Sequence, residues 1–553
     1  MILESLPLSS ILMVPALGAL VCLGPWFTNE RDPSGRLCKG WAIFVCAVVS
    51  MLVFAVATTA GAGSESFMHL EEYHSWIPSL GISLHLTFDG LSAGFCILTA
   101  LMSLAVVTWS YAPEDNRAGW YAMLLSATAA VLGSFLSTDL VAFYVFYELM
   151  LLPVLAGIAV WGGEERKRAV FRFLMYTVSG SVLMLVAIVY LGWHSSQVLQ
   201  PHSGVTDFAF TSSTLASLPP LPENVQLILC AAFLFAFGIK VPVVPLHGWL
   251  VDTYRQAPAG LVAFIAALLG KVGVYGIVRF VLPIFPDAMS TLGPAIVALG
   301  AIGIVSGALM AWAQRDIRSM LAYSSLSHLG FCIVGIGVAS TMSISGAVFQ
   351  AISHGFVTGG LFLVFGMVAQ TLGSDRLDDF GGLASRFPRI AFYSMIFTIG
   401  AVALPLTSGF VGEFLVLISA WERYPAWTLV SGFGIVIGAV YMLRAYRYVM
   451  LGDGPRLDVR DAIDARGLDI VVLSSFAVAV FLLGVAPGKV LEAVEGAISI
   501  GGVNATTPGR ARLGSFETVS YAIDSKEKRA IATTAEQNII GTAQSTSTGI
   551  KGR

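Results

Sequence analysis

The sequence predicts an all-α membrane protein, a polytopic helical bundle of about 14 transmembrane helices. Of its 553 residues, 56% are hydrophobic and only 12% are charged, and the mean hydropathy is +0.80. A soluble domain carries a charge on about a quarter of its residues. Apolar runs near the roughly 20 residues that cross a bilayer recur along the chain, which favours helices over barrel strands of about ten alternating residues.

The predicted spans are 7–28, 38–60, 88–110, 120–136, 138–161, 170–193, 225–249, 258–282, 290–312, 317–338, 343–371, 392–420, 427–451 and 469–487. Met1 to Pro7 contains Glu4 as its sole charge and no basic leader, so we interpret the first span as a retained helix. Beyond residue 487 the apolar periodicity fades and Ser, Thr, Ala and Gly dominate. We expect 488–553 to be a polar, partly disordered tail.

Basic residues predict the orientation of the bundle. The connections after even-numbered spans contain only Arg423. Those after odd-numbered spans contain Arg31, Arg36, Lys39, Arg117, Arg166, Lys167, Arg168, Arg255, Arg315, Arg318, Arg376, Arg386, Arg389, Arg456, Arg460 and Arg466. By the positive-inside rule the odd connections are cytoplasmic, which places both termini on the outer side.

Several functional classes lack their sequence signals. The six cysteines are scattered, without a CxxC or Cys/His spacing, so no metal, iron–sulfur or haem site is expected. There is no Walker A motif and no GxGxxG after a strand, which argues against nucleotide hydrolysis and dinucleotide binding. The net charge of −3 gives no indication of a nucleic-acid partner.

Four ionisable residues fall inside predicted spans: Glu148, Lys240, Lys271 and Glu413. A charge near the bilayer centre costs from about 3 to over 10 kcal/mol, so such residues usually face a polar interior and mark ion routes. His328 and His354 lie in SSLSHLGF and AISHGF, within or at the start of apolar runs. Structural explanations stay open as alternatives. A lysine could extend its ammonium to the membrane surface or form one structural salt bridge, and each histidine could be a hydrogen-bonded packing residue. We interpret Asp89, Asp139 and Arg279 as structural residues at helix ends.

Two spans carry helix-breaking residues beside these charges. Pro242 and Pro245 in FAFGIKVPVVPLHGWL follow Lys240, and their missing N–H groups should leave carbonyls near 238–241 without partners. We expect the Lys240 ammonium to use such carbonyls as acceptors. Pro405, Gly409 and Gly412 precede Glu413 and predict a second break.

The two breaks fall in spans 7 and 12, five spans apart. Five-helix units of spans 4–8 and 9–13 would start on opposite sides of the membrane, as in an inverted repeat whose broken helices meet near the midplane. The predicted regions are 1–110 (helices 1–3), 111–285 (first repeat), 286–452 (second repeat), 453–487 (helix 14) and 488–553 (tail).

Six motifs resemble the antiporter-like membrane subunits of respiratory complex I: FYELMLLP, FGIKVPVVPLHGWL, LLGKVGVYGIVRF, RDIRSMLAYSSLSHLGF, ISHG and FVGEF. The match runs from roughly residue 80 to 450 with the motifs in the expected order. It is nearest to M-type chains, since Glu413 stands where L-type and N-type chains and multi-subunit sodium/proton antiporters typically carry lysine. The chain departs from the pattern at Val251, Asp252, Thr253 and Tyr254, where the family has Pro-Asp-Ala-His, and at Gly270, which replaces an apolar residue.

The resemblance implies roles for the matching residues. Glu148 resembles the carboxylate paired with Lys240, and Lys271 the central protonatable lysine. His328 and His354 resemble members of a polar chain along the midplane, and Glu413 the group near its exit.

We therefore hypothesise a proton-translocating subunit of a complex I type NADH-quinone oxidoreductase in a bacterial inner membrane. The resemblance implies no redox site or cofactor in this chain, with NADH, FMN, iron–sulfur clusters and quinone on partner subunits. It implies L-like and N-like membrane subunits on either side, together with lipids. One alternative is a subunit of a multi-subunit sodium/proton antiporter, and another is an assembly scaffold whose buried charges fix helix register.

Overall fold

The structure is a computed structural model that describes residues 7–27, 35–61, 69–109, 113, 116–199, 208–452 and 464–500. In these ranges, 12 helices are long and apolar enough to cross a membrane. A shorter apolar helix covers Ser9–Gly24, and the predicted twelfth span is divided into two pieces. The prediction of an all-α membrane bundle is confirmed, whereas the total of about 14 spans and the inverted repeats stay predictions.

The first part of the chain combines helices with one β-hairpin that the sequence analysis missed. Strand β1 (Leu70–Ile77) pairs antiparallel with β2 (Ile82–Phe88), and the turn between them contains Gly81 in the left-handed region at φ 63°. The alternation of apolar and polar residues in ISLHLTF is typical of a strand. The helices here are α1 (Ser9–Phe27), α2 (Gly35–Ala60), α3 (Gly90–Thr108) and α4 (Arg117–Leu136).

The middle of the chain contains the first interrupted helix, which consists of α9 and α10. Between α11 and α12, a π-helical turn covers Ile277–Val281. The helices are α5 (Leu140–Leu149), α6 (Leu151–Trp161), α7 (Arg166–Val198), α8 (Ser212–Ser217), α9 (Glu223–Lys240), α10 (Leu250–Gln256), α11 (Ala259–Gly276) and α12 (Leu282–Ile284).

The remaining part contains the second interrupted helix, α16 and α17. A second π-helical turn, Arg447–Leu451, follows α18. The helices are α13 (Pro286–Ala313), α14 (Ile317–Val338), α15 (Thr341–Leu372), α16 (Pro388–Ala401), α17 (Ser408–Arg423), α18 (Pro425–Tyr446), α19 (Leu468–Val485) and α20 (Gly488–Ile500).

The core of the bundle lies around α11, α14 and α15. Every residue of α11 is buried, as are residues 343–368 of α15. By contrast, α19 buries only Leu473, Phe476, Ala477 and Val480, which leaves most of its apolar surface outward. A helix that is apolar all round and buried all round belongs in the interior of a membrane bundle. Ionisable residues on the three central helices therefore face protein.

The predicted tail begins differently from expectation. Residues 488–500 form α20, whose residues Val494, Ala497 and Ile498 are buried. This spacing of three and four residues gives one apolar helical face, a signal that the Ala- and Gly-rich composition obscured. A Cβ on Gly90 would lie 1.8 Å from the carbonyl oxygen of Ala493, so α20 packs closely on the start of α3. The rest of the predicted tail, 501–553, lies outside the described residues.

Candidate functional site

The first helix break follows Lys240 directly. Helix α9 ends at Lys240, α10 begins at Leu250, and Pro242 and Pro245 lie in the non-helical segment between them. The carbonyl of Gly238 accepts a hydrogen bond from the Val243 N–H at 2.8 Å. The carbonyl of Ile239 accepts one from the indole N–H of Trp249, also at 2.8 Å. Local groups therefore satisfy backbone acceptors that the prolines leave free.

Lys240 is completely buried, and its ammonium contacts an aromatic ring. Its Nζ has no hydrogen-bond partner among the described residues, so the prediction that it binds freed carbonyls is wrong. Instead Nζ lies 4.4 Å from the ring centroid of Tyr147. The Tyr147 hydroxyl donates to the Ala236 carbonyl at 3.1 Å, which fixes the ring against α9. A desolvated cation over a ring gains about 2 kcal/mol.

Glu148 follows Tyr147 on α5, where α5 gives way to α6 at Met150. Its carboxylate is the acidic group whose charge acts on Lys240. The two side chains are not hydrogen-bonded, because Lys240 Nζ and Glu148 Oε1 are both buried without such a partner. The interaction of Lys240 with Glu148 is therefore electrostatic, and Glu148, unlike Lys240, is only partly buried.

Lys271 lies in the buried centre of α11, beside the end of α9. A Cβ on Gly273 would lie 2.9 Å from the Phe237 carbonyl oxygen and 3.3 Å from Lys240 Cβ, so the glycine permits close helix packing. Lys271 Nζ donates to the Ala266 carbonyl at 2.7 Å. It also lies 2.8 Å from Nδ1 of His354.

The two histidines continue this contact across α15 and α14. The rings of His354 and His328 have centroids 5.6 Å apart and are inclined by 40°. Nε2 of His354 lies 2.9 Å from the Thr358 hydroxyl. Nδ1 of His328 lies 2.8 Å from Oε1 of Glu413, while its Nε2 is buried without a hydrogen-bond partner in the described chain.

Glu413 follows the second break. Helix α16 ends at Ala401 and α17 begins at Ser408, with Pro405 in the segment between them. Glu413 is only 3% exposed, and its Oε1 also accepts a hydrogen bond from the Gln350 amide at 3.0 Å. Buried charges of this kind require such partners.

The prediction that Gly409 and Gly412 break the helix is wrong, because both lie inside α17. A Cβ on Gly409 would lie 2.3 Å from the Gly400 carbonyl oxygen, and one on Gly412 would lie 2.7 Å from Gln350 Cα. The glycines therefore permit close packing against α16 and α15.

The six predicted site residues fall into two groups in the structure. Contacts link Lys271, His354, His328 and Glu413 in that order. Glu148 and Lys240 form the second group, which packs against the first where α9 meets α11. No hydrogen bond of Lys240 joins the groups within the described chain.

The sequence analysis missed three uncharged members of the site: Tyr147, Gln350 and Thr358. Gln350 and Thr358 lie one turn before and one turn after His354 on α15, so helical spacing signals both. Tyr147 precedes Glu148, but an uncharged side chain costs much less to desolvate than a charge does and therefore does not stand out in an apolar span.

The departure at 251–254 lies at the edge of the site. Asp252 pairs with Arg172 of α7. The Tyr254 ring is buried, and its centroid lies 5.3 Å from that of Phe362. In this chain position 254 packs α10 against α15.

A helical membrane bundle with two interrupted helices beside buried ionisable residues is typical of the class of ion-translocating membrane subunits. Residues 137–438 match the family model for the transmembrane NADH:quinone oxidoreductase/Mrp antiporter proteins, and the chain belongs to this family. NADH-quinone oxidoreductase subunit M of Rickettsia prowazekii is 32% identical over 493 residues, 88% of this chain and 97% of the relative. The Escherichia coli subunit M is 34% identical over 501 residues, 88% and 96% of the two chains.

Solved structures show the same fold. A chain of respiratory complex I from Thermus thermophilus matches with a TM-score of 0.78 at 26% identity, covering 90% of this chain and 99% of that one. A chain of the Mrp complex from Dietzia sp. matches with a TM-score of 0.75 at 21% identity, covering 90% and 97%. The second likeness concerns the fold alone.

Proposed function

We propose that this chain is a proton-translocating membrane subunit of a complex I type NADH-quinone oxidoreductase. The similarity to subunit M over most of both chains supports the assignment. The observation that carries the mechanism is the contact series from Lys271 through His354 and His328 to Glu413. These side chains take up and release protons, whereas NADH, FMN, iron–sulfur clusters and quinone belong to partner subunits.

The proton begins on Lys240, where the Glu148 charge and the Tyr147 ring stabilise the ammonium. Moving Glu148 away destabilises the ammonium, because burial penalises an unpaired positive charge. The proton then passes to Lys271, which lies beside the end of α9. Coupled sites exchange protons as each neighbour's charge changes.

From Lys271 the proton crosses the 2.8 Å contact to His354 Nδ1. It continues past His328, whose Nδ1 faces Glu413, to the carboxylate near the exit. A proton on His328 is stabilised by the Glu413 charge 2.8 Å from Nδ1.

The energies of these steps match the work required. Moving one proton against about 150 mV takes roughly 3.5 kcal/mol, at about 2.3 kcal/mol per 100 mV. Removing one partner of a buried ion pair costs about 3–5 kcal/mol. A movement of Glu148 that changes the free energy of the buried Lys240 ammonium by a similar amount is enough to gate one proton, whereas a surface pair worth under about 1 kcal/mol is not.

The assembly follows from the same assignment. The chain lies in a bacterial inner membrane with L-like and N-like subunits on either side and lipids around it, and both termini face outward. Basic residues concentrated in the odd connections support this orientation. The redox enzyme is the whole complex.

Lys271→Ala and Lys489→Ala test the proposal as a matched pair. Lys489 is an exposed lysine at the start of α20, away from the contact series. In vesicles that contain the assembled complex, Lys271→Ala should lower protons translocated per electron by at least about half, since it removes a general acid. Lys489→Ala should leave the ratio unchanged. Equal ratios for Lys271→Ala and the unmodified complex would contradict the proposal.

The second candidate is a subunit of a sodium/proton antiporter, favoured by the shared fold with the Mrp complex. Removing sodium from vesicles that respire on NADH distinguishes the two. The proposed subunit should keep its proton translocation, whereas an antiporter subunit should lose it and should act without electron transfer.

A further inference from the structure

A buried ion pair joins α3 to the π-helical turn after α11. Nη2 of Arg279 lies 2.7 Å from each carboxylate oxygen of Asp89. Arg279 Nε donates to the Tyr275 hydroxyl at 3.1 Å. Arg279 is 8% exposed and Asp89 is 3% exposed, so the guanidinium is almost fully removed from solvent. We name Asp89, Tyr275 and Arg279 the Arg279 cluster.

Tyr275 and Arg279 of the cluster lie further along the same helical segment as Lys271, toward its C-terminal end. Residues 271, 275 and 279 follow one another at intervals of one turn, so Arg279 lies roughly 12 Å beyond Lys271 at 1.5 Å per residue. In the predicted orientation this direction is outward. The π-helical turn Ile277–Val281 places Arg279 at a departure from regular helix, and such turns are frequent at functional sites.

Aromatic rings pack against the Tyr275 ring of the cluster. The Tyr275 ring lies edge-on to Phe135, with centroids 5.4 Å apart, and to Phe95, with centroids 6.1 Å apart. Phe95 and Phe135 stack on each other at 4.9 Å. All three rings are buried, so this stretch of the bundle is packed with apolar atoms.

Titratable groups lead from the cluster to the surface. His69 Nδ1 lies 3.9 Å from Asp89 Oδ2, and His69 Nε2 lies 2.6 Å from Glu71. His85 contacts the other oxygen of Glu71 at 3.2 Å. Glu71 is half exposed, so a series of neighbouring acid–base groups joins the exposed surface to Asp89.

We propose that Arg279, held by Asp89 and Tyr275, is a fixed positive barrier that prevents proton exchange between Lys271 and the outer water. A guanidinium stays protonated throughout the working pH range and therefore accepts no further proton. Its charge repels a hydrated proton in a low-dielectric site, as arginines do in pores that exclude protons. Protons on Lys271 then leave toward His354 and Glu413. This inference rests on the proposed function, because it assigns a barrier to that route.

Asp89 caps the N-terminus of α3, and this cap does not require the ion pair with Arg279. Asp89 already accepts hydrogen bonds from the N–H groups of Leu91 and Ser92. A buried ion pair is weak support for stability, because two desolvated charges often gain no more than a well-packed apolar pair. The barrier role accounts for a charge at this position.

Passive proton conductance of vesicles that contain the assembled complex, with no electron donor present, tests the barrier. Arg279→Gln should raise the conductance at least fivefold over the unmodified complex, since it removes the charge and keeps a polar side chain. Arg279→Lys keeps a positive charge only while its ammonium is protonated, so its conductance should be raised less than that of Arg279→Gln. Lys271→Ala combined with Arg279→Gln should abolish the added conductance, because the leak passes through Lys271.

Three results would overturn the inference: an unchanged conductance for Arg279→Gln, an equal leak for Arg279→Lys, or a leak that persists without Lys271. If Arg279→Gln does not assemble, Asp89→Asn/Arg279→Gln carries the same expectation, because it leaves no unpaired buried charge. Failure of both to assemble would assign the pair to folding and also overturn it. If Arg279→Gln leaves the passive proton conductance unchanged while Lys271→Ala abolishes proton translocation, the barrier role of Arg279 is wrong and the proposed function stands. Unaltered pumping in Lys271→Ala marks failure of the proposed function.

Discussion

Nζ of Lys271 and Nδ1 of His354 lie 2.8 Å apart in the centre of the bundle. A protonated lysine is only a donor, so Nδ1 then accepts and the His354 proton sits on Nε2, facing the Thr358 hydroxyl. When the proton moves to Nδ1, the neutral lysine becomes the acceptor. The two nitrogens therefore share one proton, and the donor and the acceptor exchange roles when this proton moves from one nitrogen to the other.

His354→Ala removes the partner of Lys271 and should lower protons translocated per electron by at least about half, as Lys271→Ala does, because it removes the group that accepts the Lys271 proton. The matched control is Ser345→Ala on the same helix, a buried side chain outside the contact series. It should retain the ratio of the unmodified complex. Normal translocation in assembled His354→Ala would show that Lys271 passes its proton elsewhere.

Tyr147→Phe and Tyr147→Leu separate the ring from the hydroxyl. The ring is the described contact of the Lys240 ammonium, so Phe should keep most translocation. Leu should destabilise the charged lysine by about 1–2 kcal/mol and lower the initial rate of proton uptake about five- to thirtyfold. Uptake followed with a pH dye after adding NADH measures this. Similar rates for Phe and Leu would exclude a role for the ring.

Hydropathy predicted the membrane bundle well because each span must satisfy its backbone inside lipid, which leaves long apolar helices as the solution. It missed the hairpin of β1 and β2, whose short alternating strands lie in a polar connection where no such constraint acts. It also missed α20, because that helix buries only one narrow face.

In the candidate site, too, some residues could be predicted from the sequence and others could not. Glu148, Lys240, Lys271 and Glu413 are visible in the sequence because burying a charge is costly. Their partners are not, since the choice between carbonyl, ring and imidazole depends on packing across helices. The Trp249 indole donates a hydrogen bond to the Ile239 carbonyl, and the Lys240 ammonium contacts the Tyr147 ring instead. Proline predicted both breaks, whereas Gly409 and Gly412 reflect close packing that depends on the neighbouring helix.

Gly412→Ala and Gly432→Ala compare two helical glycines. A Cβ at Gly412 would lie 2.6–2.7 Å from atoms of Gln350, whereas one at Gly432 has nothing within 4 Å. Overpacking should cost Gly412→Ala about 1–3 kcal/mol and displace the Gln350 amide from Glu413. Gly432→Ala should be neutral or stabilise by up to about 1 kcal/mol. The midpoint temperature of the purified complex should fall for Gly412→Ala alone, and equal midpoints would contradict the packing described.

The hairpin should weaken as the pH rises. The hydrogen bond to Glu71 raises the pKa of His69, and burial opposes this. The hydrogen bonds from His69 and then His85 hold the pKa of Glu71 below its usual range. A histidine with a raised pKa contributes its full stability below its unfolded value of about 6.5 and loses it as the pH rises through the folded pKa. The carboxylate contributes above about 4.3 and loses its part only in strong acid.

The contribution of this pair should therefore be largest between about pH 4.5 and 6.5 and decline toward pH 9. Hydrogen exchange of the amides in 70–77 and 82–88, corrected for the intrinsic pH dependence of exchange, measures it. Protection should fall modestly, since both side chains are partly exposed and solvent screens the pair. Glu71→Gln cannot form the ion pair and should flatten the profile, so an equal decline in that variant would assign the pH effect to another group.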